Sequence, residues 1–250
     1  MYNFSMYNDM KLDLNIDSLR GSLFLPRLPF DWDVASAIKD VLPGHVPTVV
    51  TDFPQIINNI QLFKDDWALF TPERNSMFLV QHQKVDYIVT GIKAYSQDCI
   101  KEFAETCANL FAIVLSLKNE DSKRLAFAPS FVYNGEREIY KKLLDAVIAK
   151  KIFKGAAMDN CEFSQVFRVA ETICGREYII NYLSRFYTRA SWLNEKDRTV
   201  MKDVDLIDFD INTFVDATYS FGTDSVKDFF DKASDYCEDF MNWYSDMINE

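Results

Sequence analysis

Residues 11–16, KLDLNI, alternate apolar and polar, which puts Leu12, Leu14 and Ile16 on one face of a strand. LRGSLFLP extends that strand or adds a second, and Pro26 stops it. The period then changes. In DWDVASAIKDVLPG the apolar positions Val34, Ala37, Ile38 and Val41 follow helical spacing, Asp31 or Asp33 stands at the N-cap, and Pro43-Gly44 ends the helix. VPTVVT predicts a short strand, and FPQIINNIQLF fits helix and strand alike. DDWALF, SMFLVQHQ and KVDYIVTGI are three strands separated by short polar breaks, the pattern of an antiparallel meander.

The first long helix runs from about Tyr95 to Leu117, with Ile100, Phe103, Cys107, Leu110, Phe111 and Val114 on its apolar side. KRLAFAPSFVY reads as a strand ending at the Asn134-Gly135 turn. EREIYKKLLDAVIAKKIF reads as a helix with Ile139, Leu143, Val147 and Ile148 inward. CEFSQVFRVAETI is rich in strand formers. REYIINYLSRFYTRASW fits a strand by composition and a helix by pattern. KDVDLIDFDINTF reads as a strand, and a final helix spans about Asp224 to Ile248.

Strands precede a long helix twice, and the two helices share a phrase, IKEF at 100–103 and VKDF at 226–229. The expected architecture is α+β, with antiparallel sheet packed by long amphipathic helices. Its two halves, 1–120 and 121–250, form pseudo-repeats or one continuous domain.

Composition adds a 250-residue length, 48% hydrophobic and 15% aromatic content, and only 7 Gly and 7 Pro, enough apolar material for a large core and little for linkers. The net charge of −11 is concentrated. From Val200 to Glu250 there are 13 Asp and Glu against 3 Lys, so residues 1–199 are almost balanced. Such acidity repels phosphate backbones and favours a basic partner over nucleic acid. The five cysteines, Cys99, Cys107, Cys161, Cys174 and Cys237, include no CxxC pair and accompany only His45 and His82. That reads as reduced, mostly buried thiols in a cytoplasmic protein without a zinc site. No basic n-region leads an apolar run at the start, and CANLFAIVLSL is too short to span a bilayer, so no membrane association is expected.

Two acidic patterns carry candidate chemistry. KDVDLIDFDI puts Asp203 and Asp205 on one face of its strand and Asp208 and Asp210 on the other. Paired carboxylates hold Mg²⁺ in phosphoryl-transfer enzymes, which makes a metal-dependent hydrolase or nuclease one reading. No Walker loop, HExxH, GxSxG or EF-hand loop accompanies them, and a strand whose ends emerge into water explains them better. Neither His45 nor His82 has a nucleophile elbow beside it. Arg168, Arg176, Arg185 and Arg189 suit an anion or ion pairs with Glu171 and Glu177. The sharper pattern is the final helix. Asp224, Asp228, Asp231, Asp235 and Glu238 recur at steps of four and three as one stripe, opposite Val226, Phe229, Phe230, Ala233, Cys237, Phe240, Met241 and Tyr244. A solvated helix face is the plain explanation of the stripe; against it, like charges at that spacing cost helix stability, and a stripe kept at that cost suits docking of a basic protein.

The strand LIDFDINTF followed by a helix reaching DFMNWY, with the earlier VDYIVTGIKAYSQDCIKEF, resembles the layout of a family of sporadically distributed, uncharacterised prokaryotic proteins of similar length. DFDI replaces that family's usual DID phrase, and the N-terminal region is unlike it. The resemblance implies no activity. It suits a setting in bacterial defence, toxin–immunity or phage-related assemblies. The expected function is a non-enzymatic protein-binding subunit or regulator without a cofactor. The alternatives are the hydrolase or nuclease at Asp203–Asp210 and an acidic mimic of nucleic acid.

Overall fold

The computed structural model describes residues 14–26, 28–51, 55–57, 60–91, 94–133, 162–195, 198–216 and 218–249. The helix expected at EREIYKKLLDAVIAKKIF lies outside them, as do Cys161 and the side chain of Tyr244.

β1 (Leu14–Phe24) is the first described element and α1 (Trp32–Val41) follows it. Asp31, not Asp33, is the N-cap of α1: its carboxylate accepts from the backbone N–H of Asp33 and Val34. β2 (Val46–Val49) comes next. FPQIINNIQLF resolves into two three-residue strands, β3 (Gln55–Ile57) and β4 (Ile60–Leu62), paired as a hairpin. The expected meander is present as β5 (Trp67–Phe70), β6 (Ser76–Gln81) and β7 (Lys84–Thr90). His82 falls just past β6, in the turn. α2 (Gln97–Lys118) is capped by the Ser96 hydroxyl and closed by Asn119 in the left-handed region, φ 53°.

The second half supplies β8 (Arg124–Tyr133), β9 (Glu162–Ile173), β10 (Arg176–Glu195), β11 (Arg198–Thr213) and α3 (Thr223–Asn249). REYIINYLSRFYTRASW is therefore strand. Its twenty-residue element pairs with β11 on one side and β9 on the other, and those two ladders supply the backbone partners that decide against a helix. β9 and β10 meet in a two-residue turn at Cys174 and Gly175, both with positive φ (47° and 75°), the geometry that matches the twist of a hairpin.

Among the described residues nine strands form one antiparallel sheet in the order β2-β5-β6-β7-β1-β8-β11-β10-β9. The fold is α+β. The sheet runs through the middle of the chain without a break, because β1 pairs with β8 along ten registered positions. In each half the first strand lies beside the last: β1 beside β7, and β8 beside β11.

α2 and α3 pack against each other on one side of the sheet. Leu19, Leu23, Phe127, Phe131, Ile207, Phe209 and Ile211 face them, with Phe103, Leu110, Phe111, Phe229 and Phe230 on the helix side. Phe240 is half-buried and packs edge-on against Phe209 at 4.2 Å between ring centroids. Gly21 marks the closest approach. A Cβ there would lie 2.4 Å from the Cys107 sulfur and 3.2 Å from Phe230, so a side chain would force α2 off the sheet. On the opposite side a smaller cluster gathers Val50, Leu62, Ala68, Met77, Leu79 and Ile88. Among the described residues no helix is long and apolar enough to cross a membrane.

Candidate functional site

The acidic stripe of α3 divides into working and exposed members. Asp228 is half-buried. Its carboxylate accepts the Cys174 backbone N–H at 2.7 Å and pairs with Lys232 at 3.0 Å, pinning the β9–β10 turn to the helix. Burial raises its pKa, but the Cys174 N–H and Lys232 outweigh that and hold the carboxyl below its ordinary value. Lys232 reaches on to the Thr172 carbonyl. Glu238 meets Lys101 of α2 at 3.4 Å. Asp224, Asp231 and Asp235 are exposed. Asp231 is pushed above the ordinary carboxylate value by partial burial, then by the charges of Glu105 on α2 and of Asp228 and Asp235 on its own helix. The stripe thus extends across the α2–α3 seam, a point the one-dimensional spacing could not contain.

The strand aspartates take the faces that alternation predicts. Asp205 is buried on the helix side, accepting the Thr188 hydroxyl at 2.6 Å, while Asp203 is exposed. On the other side Asp208 accepts the Ser130 hydroxyl at 2.5 Å, and Asp210 accepts the Asn212 amide at 2.8 Å. The sheet thus separates the two pairs, and hydroxyl or amide donors from neighbouring positions satisfy three of the four carboxylates. Among the described residues no group of three His, Cys, Asp or Glu side chains is disposed to hold a metal ion.

The most buried carboxylate is one that strand patterning passed over. Asp86 of β7 has no exposed surface. It accepts from Arg20 at 3.2 and 2.5 Å and from the Ser22 hydroxyl at 2.6 Å, and Lys84 lies 3.1 Å away. Burial lowers the Lys84 pKa and the Asp86 charge opposes that. Lys84 and Arg124 lie over the ring of Phe24, at 5.7 and 4.9 Å from its centroid. From Arg124 a polar ladder crosses the rest of the sheet. Arg124 and Asn181 both donate to the Asn212 side-chain oxygen at 3.2 and 3.0 Å, and Arg168 donates to Asn181 at 3.3 Å. Arg168 and Arg185 also sit over aromatic rings, of Phe214 and Tyr187, so Arg168 combines a ring face with its Asn181 contact. The sequence signal for Asp86 was its placement in an otherwise apolar strand. Its partners come from β1 and could be named only once the register was known.

His45 has a serine partner. Its Nε2 lies 2.9 Å from the Ser76 hydroxyl and its Nδ1 3.1 Å from the Leu42 carbonyl. The carbonyl can only accept, so Nδ1 carries the proton and Nε2 faces Ser76 as an acceptor. Burial lowers the His45 pKa and keeps the ring neutral. Ser76 in turn contacts the Tyr87 hydroxyl at 3.2 Å. With His45 buried, this chain plugs polar atoms at the core's edge.

A cavity of about 310 Å³ opens between α3 and the outer strands, walled by Phe167, Tyr182, Phe209, Tyr236 and Phe240, with Asp239 at its rim. Tyr182 and Tyr236 stand 4.4 Å apart between ring centroids, and the Tyr236 hydroxyl donates to Glu171 of β9. Burial and the Tyr236 contact raise the Tyr182 pKa, so both phenols stay neutral donors. Beyond this cavity β9 ends the sheet, with Val166, Phe167 and Val169 at 51, 56 and 41% exposure. Comparisons with protein-family models, with curated proteins and with solved structures give no match to this chain.

Proposed function

We propose that this chain is a non-enzymatic protein-binding subunit or regulator whose partner presents a basic surface. The observation that carries the reading is the crowding of exposed carboxylates across the α2–α3 seam. Glu105 comes from one helix and Asp231 and Asp235 from the other; partial burial first, and then these neighbouring charges, raise the Asp231 pKa, with Lys227 opposing. Like charges held at that spacing weaken the helix that bears them, and a cationic partner relieves the repulsion. The same reading takes the two halves as a pseudo-repeat in which each long amphipathic helix covers its own strands. The matching placement of β1 beside β7 and of β8 beside β11 supports it. A cytoplasmic setting within a defence, toxin–immunity or phage-related assembly belongs to the same proposal.

The test is affinity capture from the source organism with wild-type bait and with a Glu105→Gln, Asp231→Asn, Asp235→Asn bait, followed by association kinetics at several salt concentrations. A partner lost from the mutant, with an association rate that falls steeply with salt only for wild type, supports the proposal. Equal capture by both baits with equal salt dependence overturns it.

A further inference from the structure

The geometry points to the outer edge of β9 as a strand-addition site, where an extended segment of a partner protein pairs with β9, drops apolar side chains into the adjoining cavity and sets basic side chains over its acidic rim. This deepens the proposal of a basic protein partner and rests on it.

Four observations converge on that edge. First, β9 is twelve residues long, holds an unbroken register with β10 from Glu162 to Ile173, contains no proline and has no bulge against its neighbour. Among the described residues no strand pairs with its other side. An edge of that length, unpaired among the described residues, offers a row of backbone donors and acceptors for a further strand, and the usual devices that blunt such an edge are proline, charged side chains, a bulge or brevity. β9 has no proline, bulge or brevity; its charges are Glu162, Arg168 and Glu171, and Lys232 of α3 takes the Thr172 carbonyl near its end.

Second, its exposed apolar residues sit on both sides of the sheet. Val166 lies on one, Phe167 and Val169 on the other, all at least 41% exposed. An added strand covers both rows at once, whereas a helix laid on one side would leave the other bare. Third, Phe167 belongs at the same time to the edge and to the wall of the 310 Å³ cavity. A strand paired with β9 presents alternate side chains to that side, next to Phe167. The cavity then supplies the pocket for side-chain recognition that accompanies main-chain pairing in strand addition.

Fourth, charge selects the occupant. Glu171 lies on the same side of β9 as Phe167, and the exposed Asp239 of α3 lines the cavity. A second copy of this chain would bring the same carboxylates into opposition across the new strand pair, on top of a net charge of −11 per chain. A foreign segment with an apolar centre and lysine or arginine flanks meets the apolar row, the cavity and the carboxylates together.

The experiment uses the full chain and a fluorescein-labelled synthetic peptide of alternating valine and threonine closed by a lysine pair at each end. Three relatives accompany it: one N-methylated at alternate residues so that one edge lacks N–H donors, one closed by glutamates, and one of scrambled order. Anisotropy titration gives affinity and hydrogen exchange gives the amides protected. Saturable binding that protects β9 amides supports the inference when it weakens roughly tenfold or more on N-methylation and in Phe167→Thr. Phe167 is exposed, so that variant leaves folding intact, and an unchanged thermal melt checks it. Equal binding of the N-methylated peptide, equal binding by Phe167→Thr, or no change in β9 exchange overturns strand addition while leaving the acidic seam to its own test. Equal binding of the glutamate-closed peptide overturns the basic occupant. Sedimentation of the chain alone as a dimer that Phe167→Thr dissociates assigns the edge to a second copy and overturns the proposal. Weakened lysine-peptide binding in the Glu105→Gln, Asp231→Asn, Asp235→Asn variant, with N-methylation inert, leaves the seam as the binding surface without β9.

Discussion

At one end of the sheet, β2 offers four residues with Pro47 among them; its helix-side Val49 packs half-buried against the core, Trp67 and Leu69 of its neighbour β5 have no exposed surface, and Val46 on the other side is 52% exposed. At the other end β9 offers twelve residues without proline, and its helix-side residues Phe167 and Val169 are about half exposed. The sheet is continuous between them. The difference lies in what each end is packed against. α1 brings Val34, Ala35 and Ile38 into the core, Phe30 meets Trp67 edge-on at 5.4 Å, and the Trp67 indole N–H donates to the Leu28 carbonyl at 3.3 Å. The open end has instead a cavity, a pair of tyrosines and a hairpin tied to α3 through Asp228 and Lys232 at its turn and through Glu171 to Tyr236. Burial of this kind stabilises a fold, and an edge without it leaves apolar side chains and backbone groups in water, so the two ends separate a packed edge from an unpacked one within one sheet.

The largest test of that separation sets two aromatic residues against each other. Trp67→Ala empties a fully packed site and should cost about 3–5 kcal/mol of unfolding free energy. Phe167→Ala, on the strand that ends the opposite side, should stay within about 0.5 kcal/mol. Urea denaturation of both variants measures the contrast. A Phe167→Ala cost close to that of Trp67→Ala would mean that β9 is covered in solution.

A second, smaller contrast uses carboxylates on the side of the sheet away from α2 and α3. Asp86→Asn removes the partner of Arg20 and Lys84 from a fully buried position and should cost about 2–3 kcal/mol, softened because both cations reach water. Asp208→Asn keeps a hydrogen-bond acceptor for Ser130 at a half-buried site and should cost less than about 1 kcal/mol. Equal costs would erase the energetic difference between the halves.

The smallest effect concerns the tie between α3 and the β9–β10 turn. Asp228→Asn should cost about 1 kcal/mol at neutral pH and speed amide exchange in β9 more than in β5. Its folded pKa is depressed, so its contribution is present above the ordinary carboxylate value of 3.8 and disappears as pH falls through the lowered folded value. The wild-type advantage should therefore vanish in acid. An advantage that persists there would remove the carboxylate from the account.

Much of the fold was legible in local pattern. The α2 apolar residues Ile100, Phe103, Cys107, Leu110, Phe111 and Val114 are all buried, and β5, β6 and β7 follow the three strands that their polar breaks delimit. The period-two alternation of β11 placed Ile207, Phe209 and Ile211 in the core and divided the four aspartates between faces. Residues 176–195 were not legible, because tyrosine, isoleucine, leucine and arginine satisfy both periods over that length. Two flanking ladders made them strand. The candidate site was half legible. Spacing located the α3 carboxylates, but not that Asp228 and Glu238 are engaged by Cys174, Lys232 and Lys101 while Glu105 joins Asp231 and Asp235.

What the sequence determined by itself was therefore what neighbours within a few residues decide: helix caps, faces and the period of each element, along with a charge concentrated in the last fifth of the chain. The tertiary structure alone decided the order of the strands, the burial of Asp86 between Arg20 and Lys84, and the contrast between a β2 end packed by α1 and a β9 end beside a cavity. Those depend on contacts between residues tens of positions apart, such as Arg20 with Asp86 and Asp228 with Cys174. A residue's type sets what it can bond, while long-range register sets what it meets.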